Sequence, residues 1–375
     1  MIGLPKSTTL RGRTSFAHTA VTLALAALTL PSGIAANACT RAVYLGSDNV
    51  VITGRSMDWA EDVYSNAWVF PRGMARDGAT GANTIKWTSK YGSLVVSGYD
   101  AGTADGMNEK GLVANVLYLA ESYYGTPQPG KPTLSIMAWG QYALDNYSTV
   151  AETVEALRAE PFVVIAPMLP NGKGAQLHLA VSDPTGDSAI FEYLGGKLVI
   201  HHDRKYQVMT NSPSFDDQLA IATYWNGVNP LAFLPGSISA ADRFVRASFL
   251  INAIPKQADP HTLKAVPGGT YENQAVAAVL GVMRSVSTPL GISQPDKPNL
   301  ASTLWRTAYD QKGMVFILTL QPAPMPFGFP SPTSTSKRVR RSRSSRWQAA
   351  RSTRATPPAN SRRQRRSSSE QDTRA

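Results

Sequence analysis

One cysteine in 375 residues, Cys39, limits how this chain can hold itself together. A single thiol closes no internal disulfide, so the fold must rest on a buried core. The position of that cysteine is a second constraint. Lys6, Arg11 and Arg13 make a positive start, residues 17–30 form an apolar run, and Ala36-Asn37-Ala38 supplies the small-x-small pattern that signal peptidase cuts after. The run is shorter than the roughly 20 apolar residues that span a bilayer. Residues 1–38 therefore read as a cleaved export signal. Cys39 becomes the first residue of a mature protein that is periplasmic or secreted.

Exported proteins usually spend cysteines in pairs. An unpaired one at a chain start is an inert thiol, a lipid attachment point or a nucleophile. Lipidation wants Leu three positions before the cysteine; Ala36 stands there and Asn37 fits the motif badly. No membrane anchor is expected, and a Cys39-anchored lipoprotein or binding module without catalysis is the alternative reading.

The formal charge of +11 misleads about ligands. Residues 337–375 carry 13 Lys or Arg against 2 Asp or Glu, and the rest of the chain has 24 of each sign. Without residues 1–38 the body holds 21 basic and 24 acidic residues, so nothing in it calls for a nucleic acid. Residues 323–375 read as a Pro-rich linker and a basic disordered tail with the composition of a shifted reading frame.

Residues 39–322 read as one α+β domain, long enough for a large core. Two short β-branched runs over 41–45 and 50–54 flank Gly46-Ser47-Asp48-Asn49, a hairpin signature. Further strands are expected over 67–70, 93–98 and 113–119, the last entered through an Asn108-Glu109-Lys110-Gly111 turn. Helical spacing follows over 134–146, and Thr149 with Glu152 makes a capping box for a helix over 149–159. Strands resume over 162–166, 175–182, 188–193 and 197–202. Helices over 240–254 and 273–285 precede final strands over 303–309 and 313–320. Strand groups broken by helix pairs predict helices packed on a sheet sandwich, not βαβ units.

A cysteine at a free N-terminus carries its own base. An α-amine titrates near about 7.7–8.0 and can take the thiol proton without a histidine. A fixed positive charge beside the thiol should ease its ionisation. Arg55 and Asp58 lie 16 and 19 positions after Cys39, at the end of the second hairpin strand, where folding back brings them to the thiol and amine. The mature histidines, His178, His201, His202 and His261, sit in no recognisable base motif, which argues against a His-dependent thiol enzyme. His178 lies in an apolar run and reads as a satisfied core residue. No metal site, phosphate-cradling loop or cofactor is expected.

Cys39-Thr40-Arg41 at a processed start followed by "GRSMDW" resembles the choloylglycine hydrolase and penicillin V acylase family of N-terminal-nucleophile hydrolases. "DGMNEKGL" (105–112), "MTNSPSFDDQL" (209–219) and "LPGSISAADRFVRASF" (234–249) extend the resemblance over about 39–320. It implies a four-layer αββα sandwich and hydrolysis of a linear amide through an acyl-thioester. It implies that Cys39 is the nucleophile, its α-amine the base, Arg55 the arginine beside the thiol and Asp58 the carboxylate that positions thiol and amine. Tyr118 then gives a backbone amide, and Asn211 its side-chain amide, to the oxyanion hole, while Arg243 is the site's second arginine. The family's substrates are conjugated bile salts, penicillin V and acyl-homoserine lactones, each a small molecule with an amide beside a bulky acyl group. Trp59, Tyr64, Trp68, Phe70 and Trp87 are aromatic candidates for that pocket, with Trp59, beside Asp58, and Tyr118 kept as substrate contacts. Asn211 and Arg243 are only 32 positions apart, where Gram-positive members carry a longer assembly loop, so a homo-oligomer stays open. The family pattern stops at about residue 321.

Overall fold

The structure is a computed structural model that describes residues 39–321 apart from 82, 171, 173 and 294–299. The expected export signal (1–38) and the expected linker and tail (323–375) lie outside the described residues. Within them the first hairpin forms as its turn residues require. β1 (Thr40–Leu45) and β2 (Val51–Trp59) are joined through Asp48 and Asn49, both at positive φ of 55° and 56°. That left-handed pair matches the twist of the flanking strands, and Asn and Asp tolerate it better than most residues do.

After β2 come β3 (Ala67–Phe70), a short hairpin of β4 (Ala75–Asp77) and β5 (Lys86–Thr88), then β6 (Ser93–Gly98), β7 (Gly102–Asn108) and β8 (Val113–Tyr118). β9 (Thr133–Ser135) leads into α1 (Ile136–Asn146) and α2 (Val150–Arg158). β10 (Val163–Ile165), β11 (Leu177–Ser182), β12 (Ser188–Leu194), β13 (Lys197–His202) and β14 (Val208–Met209) follow. The second half adds α3 (Phe215–Asn226), α4 (Ala240–Ala253), α5 (Pro260–Leu263) and α6 (Tyr271–Ser285) before β15 (Ser302–Asp310) and β16 (Val315–Leu320). The expected cap of α2 is present: Glu152 N–H donates to Thr149 Oγ1 at 3.2 Å, while the Glu152 carboxylate accepts from Ser148 N–H at 2.7 Å.

One sheet runs β14-β1-β2-β15-β16, the other β13-β12-β11-β8-β7-β6-β3, and every pairing within them is antiparallel. α4 and α6 pack on the first sheet, α1 and α2 on the second. The inner faces meet through polar links as well as apolar packing. The Thr53 and Ser182 hydroxyls lie 2.8 Å apart, Arg41 Nη2 donates to Val181 O at 3.1 Å, and Thr307 Oγ1 donates to Asp105 Oδ2 at 2.5 Å. The result is the expected four-layer αββα sandwich.

β2 is the strand on which the layers depend. Alternation along it sends Thr53, Arg55, Met57 and Trp59 toward the other sheet and Gly54 toward α6. The β-branched run that predicts this strand ends at 54. The strand itself continues to Trp59 with every residue buried, since β1 and β15 pair both its edges and the neighbouring layers supply partners for Arg55 and Asp58. Besides the short β4, β5, β9 and α5, the pattern reading missed β7, α3 and β14. β7 (GTADGMN) is rich in Gly and Asp, which strands disfavour. α3 (FDDQLAIATYWN) directly follows a Pro-Ser pair that reads as loop, and β14 is only two residues long.

Candidate functional site

Cys39 immediately precedes β1 at 2% exposure, and four chain segments close around it. Its N–H donates to Asn211 Oδ1 at 2.6 Å. Its Sγ lies 3.6 Å from Arg55 Nη2, 3.7 Å from Met57 Sδ and 3.8 Å from Asp58 O. β-pairing produces this: Arg41 faces Arg55 and Thr40 faces Ser56, so the start of β1 lies beside Met57 and Asp58.

Arg55 Nη2 also donates to Val116 O at 3.1 Å, and the guanidinium sits 4.5 Å over the Trp305 ring. Beneath it lies Asp105, which accepts from Asn115 Nδ2 and Thr307 Oγ1. Burial raises the Asp105 pKa, and the Arg55 charge works against that rise. Arg243, on α4, ties the remaining pieces together. Nη1 donates to Cys39 O and Thr40 Oγ1, both at 2.6 Å, Nη2 to Asn211 Oδ1 at 3.0 Å, and Nε to Ile238 O at 3.0 Å. Burial lowers the Arg243 pKa, opposed by the nearby Asp58 and Cys39.

Two donors on Oδ1 fix the orientation of the Asn211 amide. Its Nδ2 donates to Tyr118 O at 2.7 Å, and an amide nitrogen carries a second N–H. Tyr118 ends β8. Leu119 N–H donates across to Gln176 O, so ladder alternation turns the N–H and C=O of Tyr118 to the opposite side, where β7 has already stopped pairing at Asn115. The Tyr118 N–H and the Asn211 amide therefore lie on one side of the thiol's surroundings.

Charge follows from burial. Desolvation pushes the Asp58 carboxyl up to about 6, against the pull of Arg243, the Thr303 and Ser56 hydroxyls and Arg55. Desolvation also raises the Cys39 thiol, more than the Arg55 and Arg243 charges and the Asp58 carbonyl lower it, and Asp58 adds to the rise. This differs from the expectation of an eased ionisation. Arg55 is close enough to help, but with Ala38 attached the cysteine nitrogen is a peptide nitrogen and brings no positive charge.

An apolar cleft of about 60 Å³ opens beside Sγ, lined by Met57, Trp59, Tyr99, Tyr118, Met137 and Leu169 among others. Trp59 and Tyr118 meet edge to face with ring centroids 6.0 Å apart. Trp59 Nε1 donates to Tyr99 OH at 2.8 Å, and Tyr99 OH donates to Glu61 Oε1 at 2.5 Å. The other aromatic candidates lie elsewhere: Tyr64 is exposed, Trp68 stacks on Phe70, and Trp87 packs against Tyr142 and donates to Asp145. Pockets enclosing drug-sized ligands hold roughly 300–1,000 Å³, so a bulky acyl group would extend beyond this cleft. A larger groove of about 480 Å³ between α3 and α4 contains none of the candidate site residues, although parts of the 209–219 and 234–249 stretches line it. The chemistry-bearing groups converge on the smaller one.

Cys39, Arg55, Asp58, Tyr118, Asn211, Arg243 and Trp59 are thus brought together around one thiol. The pattern reading passed over Asp105, Gln218, His178 as more than a core residue, and Glu192. Asp105 and Gln218 lie inside the stretches 105–112 and 209–219 but were not singled out there, and the only signal of His178 and Glu192 was a polar residue inside an apolar run, as in LHLAVS and SAIFEYL.

A four-layer αββα sandwich of this topology is the fold of N-terminal-nucleophile hydrolases, α+β amidohydrolases. Within that class the chain belongs to the choloylglycine hydrolase family of linear amide C–N hydrolases, whose model matches residues 39–321. It is 47% identical over 322 residues to a penicillin V acylase of Pectobacterium atrosepticum, covering 82% of this chain and 84% of that one. Identity to a bile salt hydrolase/transferase of Clostridium perfringens is 29% over 283 residues, covering 68% and 84%. The solved penicillin V acylase from Agrobacterium tumefaciens superposes with a TM-score of 0.68 at 52% identity, covering 76% of this chain and 84% of that one. A conjugated bile acid hydrolase variant from Clostridium perfringens shares the fold, with a TM-score of 0.61 at 22% identity and coverage of 75% and 89%.

Proposed function

We propose that this hydrolase is exported, is cleaved before Cys39, and uses the freed residue as its nucleophile on a penicillin V-type amide. Cleavage turns the Cys39 nitrogen into an amine, which takes the proton of Sγ. The thiolate adds to the amide carbonyl carbon, and the resulting oxyanion receives the Tyr118 N–H and the second N–H of Asn211 Nδ2. The C–N bond breaks as the nitrogen leaves with the proton held on the amine, giving an acyl-thioester and a free amine. Water, deprotonated by the same amine, then cleaves the thioester to a carboxylic acid and regenerates the thiol. Arg55 and Asp58 hold the thiol and amine in register, and Arg243 holds Asn211. Trp59 and Tyr118 take the apolar acyl group.

The observation that carries this reading is the 2.6 Å bond from Cys39 N–H to Asn211 Oδ1, beside a thiol at the mouth of an apolar cleft. Two relatives at 47% and 52% identity are named penicillin V acylases, which favours a phenoxyacetyl amide over a conjugated bile salt or an acyl-homoserine lactone. The deciding experiment is the intact mass and N-terminal sequence of protein purified from its exporting host, followed by kcat/KM on penicillin V, glycocholate, taurocholate and an acyl-homoserine lactone. A chain starting at unmodified Cys39, with penicillin V the best substrate, is expected. A lipidated Cys39, or an active chain still carrying residues 1–38, rules the mechanism out.

A further inference from the structure

Thr210, the residue before Asn211, leads away from the thiol into a buried charge pair. His178, on β11, and Glu192, on β12, are both fully buried. His178 Nδ1 lies 2.9 Å from Glu192 Oε1 and Nε2 lies 2.9 Å from Thr210 O. A peptide carbonyl only accepts, and so does an ionised carboxylate, so both ring nitrogens must carry protons. Burial alone would raise the Glu192 carboxyl. The hydrogen bond from His178, the neighbouring His201 ring 3.8 Å away, the His178 charge and the Phe215 N–H instead bring it down to about 2. Its second oxygen accepts from Phe215 N–H at 3.1 Å, at the start of α3. A buried ion pair is not needed for stability, since apolar residues of similar volume often serve as well or better. Its position suggests another use.

We propose that His178, held as an imidazolium by Glu192, is a positioning residue for amide hydrolysis: it clamps the Thr210 carbonyl and so fixes the backbone that carries Asn211. The next carbonyl, that of Asn211, accepts from Gln218 Nε2, and Gln218 Oε1 in turn accepts from Thr210 Oγ1 at 2.9 Å. Asn211 is therefore gripped on both flanking carbonyls, one by a charged donor. Charge-assisted hydrogen bonds are about twice as strong as neutral ones. An oxyanion donor acts only where it lies within hydrogen-bonding distance of the developing charge. The clamp rests on the reading of Asn211 as that donor.

The test compares His178→Gln in wild-type and Asn211→Ala backgrounds, using processed protein and penicillin V. Glutamine is neutral and reaches one acceptor, not both. In the wild-type background kcat should fall about 10- to 100-fold with KM little changed, because the lost interaction belongs to the transition state. In the Asn211→Ala background the same substitution should change kcat by less than about twofold, since coupled residues are not additive. Unchanged kcat in the first background, or equal losses in both, overturns the clamp. Nitrogen-15 NMR of the imidazole in unmutated protein gives a readout independent of the variant's folding. Two protonated nitrogens at neutral pH support the proposal, and one unprotonated nitrogen overturns it. Wild-type kcat in Asn211→Ala alone removes the oxyanion reading, and the clamp with it.

Discussion

Asn211 Oδ1 accepts the Cys39 N–H at 2.6 Å across 172 residues of chain. The contact joins the start of the first strand to the loop after β14, and Arg243 binds both ends: Cys39 through its carbonyl, Asn211 through its amide oxygen. Cys39 is thus held at both its N–H and its carbonyl by side chains from distant parts of the chain. A group used as a base has to be placed to within hydrogen-bond distance of its proton. On the proposed mechanism, that requirement accounts for the grip on Cys39.

Removing the free amine should therefore silence the site while leaving the fold alone. A chain that keeps Ala38 should hydrolyse penicillin V at least about 100-fold more slowly than one beginning at Cys39, the lower end of what a positioned base contributes. The measurement is single-turnover kinetics on both forms at equal concentration. Matched rates would show that the amine is not the base.

Arg243 satisfies three buried acceptors and the half-buried Ile238 carbonyl with one side chain. Arg243→Met leaves the Cys39 carbonyl without this donor and Asn211 Oδ1 with only the Cys39 N–H, at about 1–3 kcal/mol for each group left unpaired where water cannot reach. A loss of about 3–5 kcal/mol is expected from urea unfolding, with kcat falling in parallel. Arg243→Lys restores charge but not the planar fork, so it should recover part of the stability and little of the activity. A Met variant within about 1 kcal/mol of wild type would contradict this geometry.

Asp58 gives a pH dependence whose sign follows from its burial. With Ala38 attached, its carboxyl titrates at about 6 when folded, against roughly 3.9 unfolded. The folded state holds the proton more tightly, so this contribution to stability is complete below about pH 4 and lost as pH rises to about 6, a change of about 3 kcal/mol. Cleavage adds an ammonium group beside the carboxylate and should move the folded value down. Carbon-13 NMR titration of Asp58 in the extended and processed chains tests this; an equal or higher value in the processed chain would place the amine away from Asp58.

How much of this the sequence disclosed depends on whether a residue's partner is local. The β1–β2 hairpin was legible because its turn chemistry is local, and the capped α2 for the same reason. Cys39, Arg55 and Asp58 could be grouped because one hairpin folds them together. Asn211 and Arg243 were reached only through resemblance to the family, since no local pattern says that a loop and a helix meet at Cys39. β7 was missed because its Asp105 contradicts a strand until Thr307 and Asn115, from two different sheets, are seen to satisfy it. His178 and Glu192 were opaque in the same way: each is an isolated polar residue in its own strand.

Gly54 shows how the helix layer constrains the site from behind. It lies on β2 immediately before Arg55, facing α6, and a Cβ there would stand 2.6 Å from Val279 Cγ1 and 2.8 Å from Met283 Sδ. The methionine is flexible enough to yield, but the valine is branched at Cβ and stiff, so α6 or β2 must shift. Gly54→Ala should cost about 1–3 kcal/mol, the usual penalty for overpacking a core. A shift of β2 would also move Arg55, which should weaken its contact with the thiol. The expected result is a lower unfolding midpoint together with reduced kcat. Wild-type stability would mean that the strand and helix have slack between them, and that Arg55 is held by the opposite sheet alone.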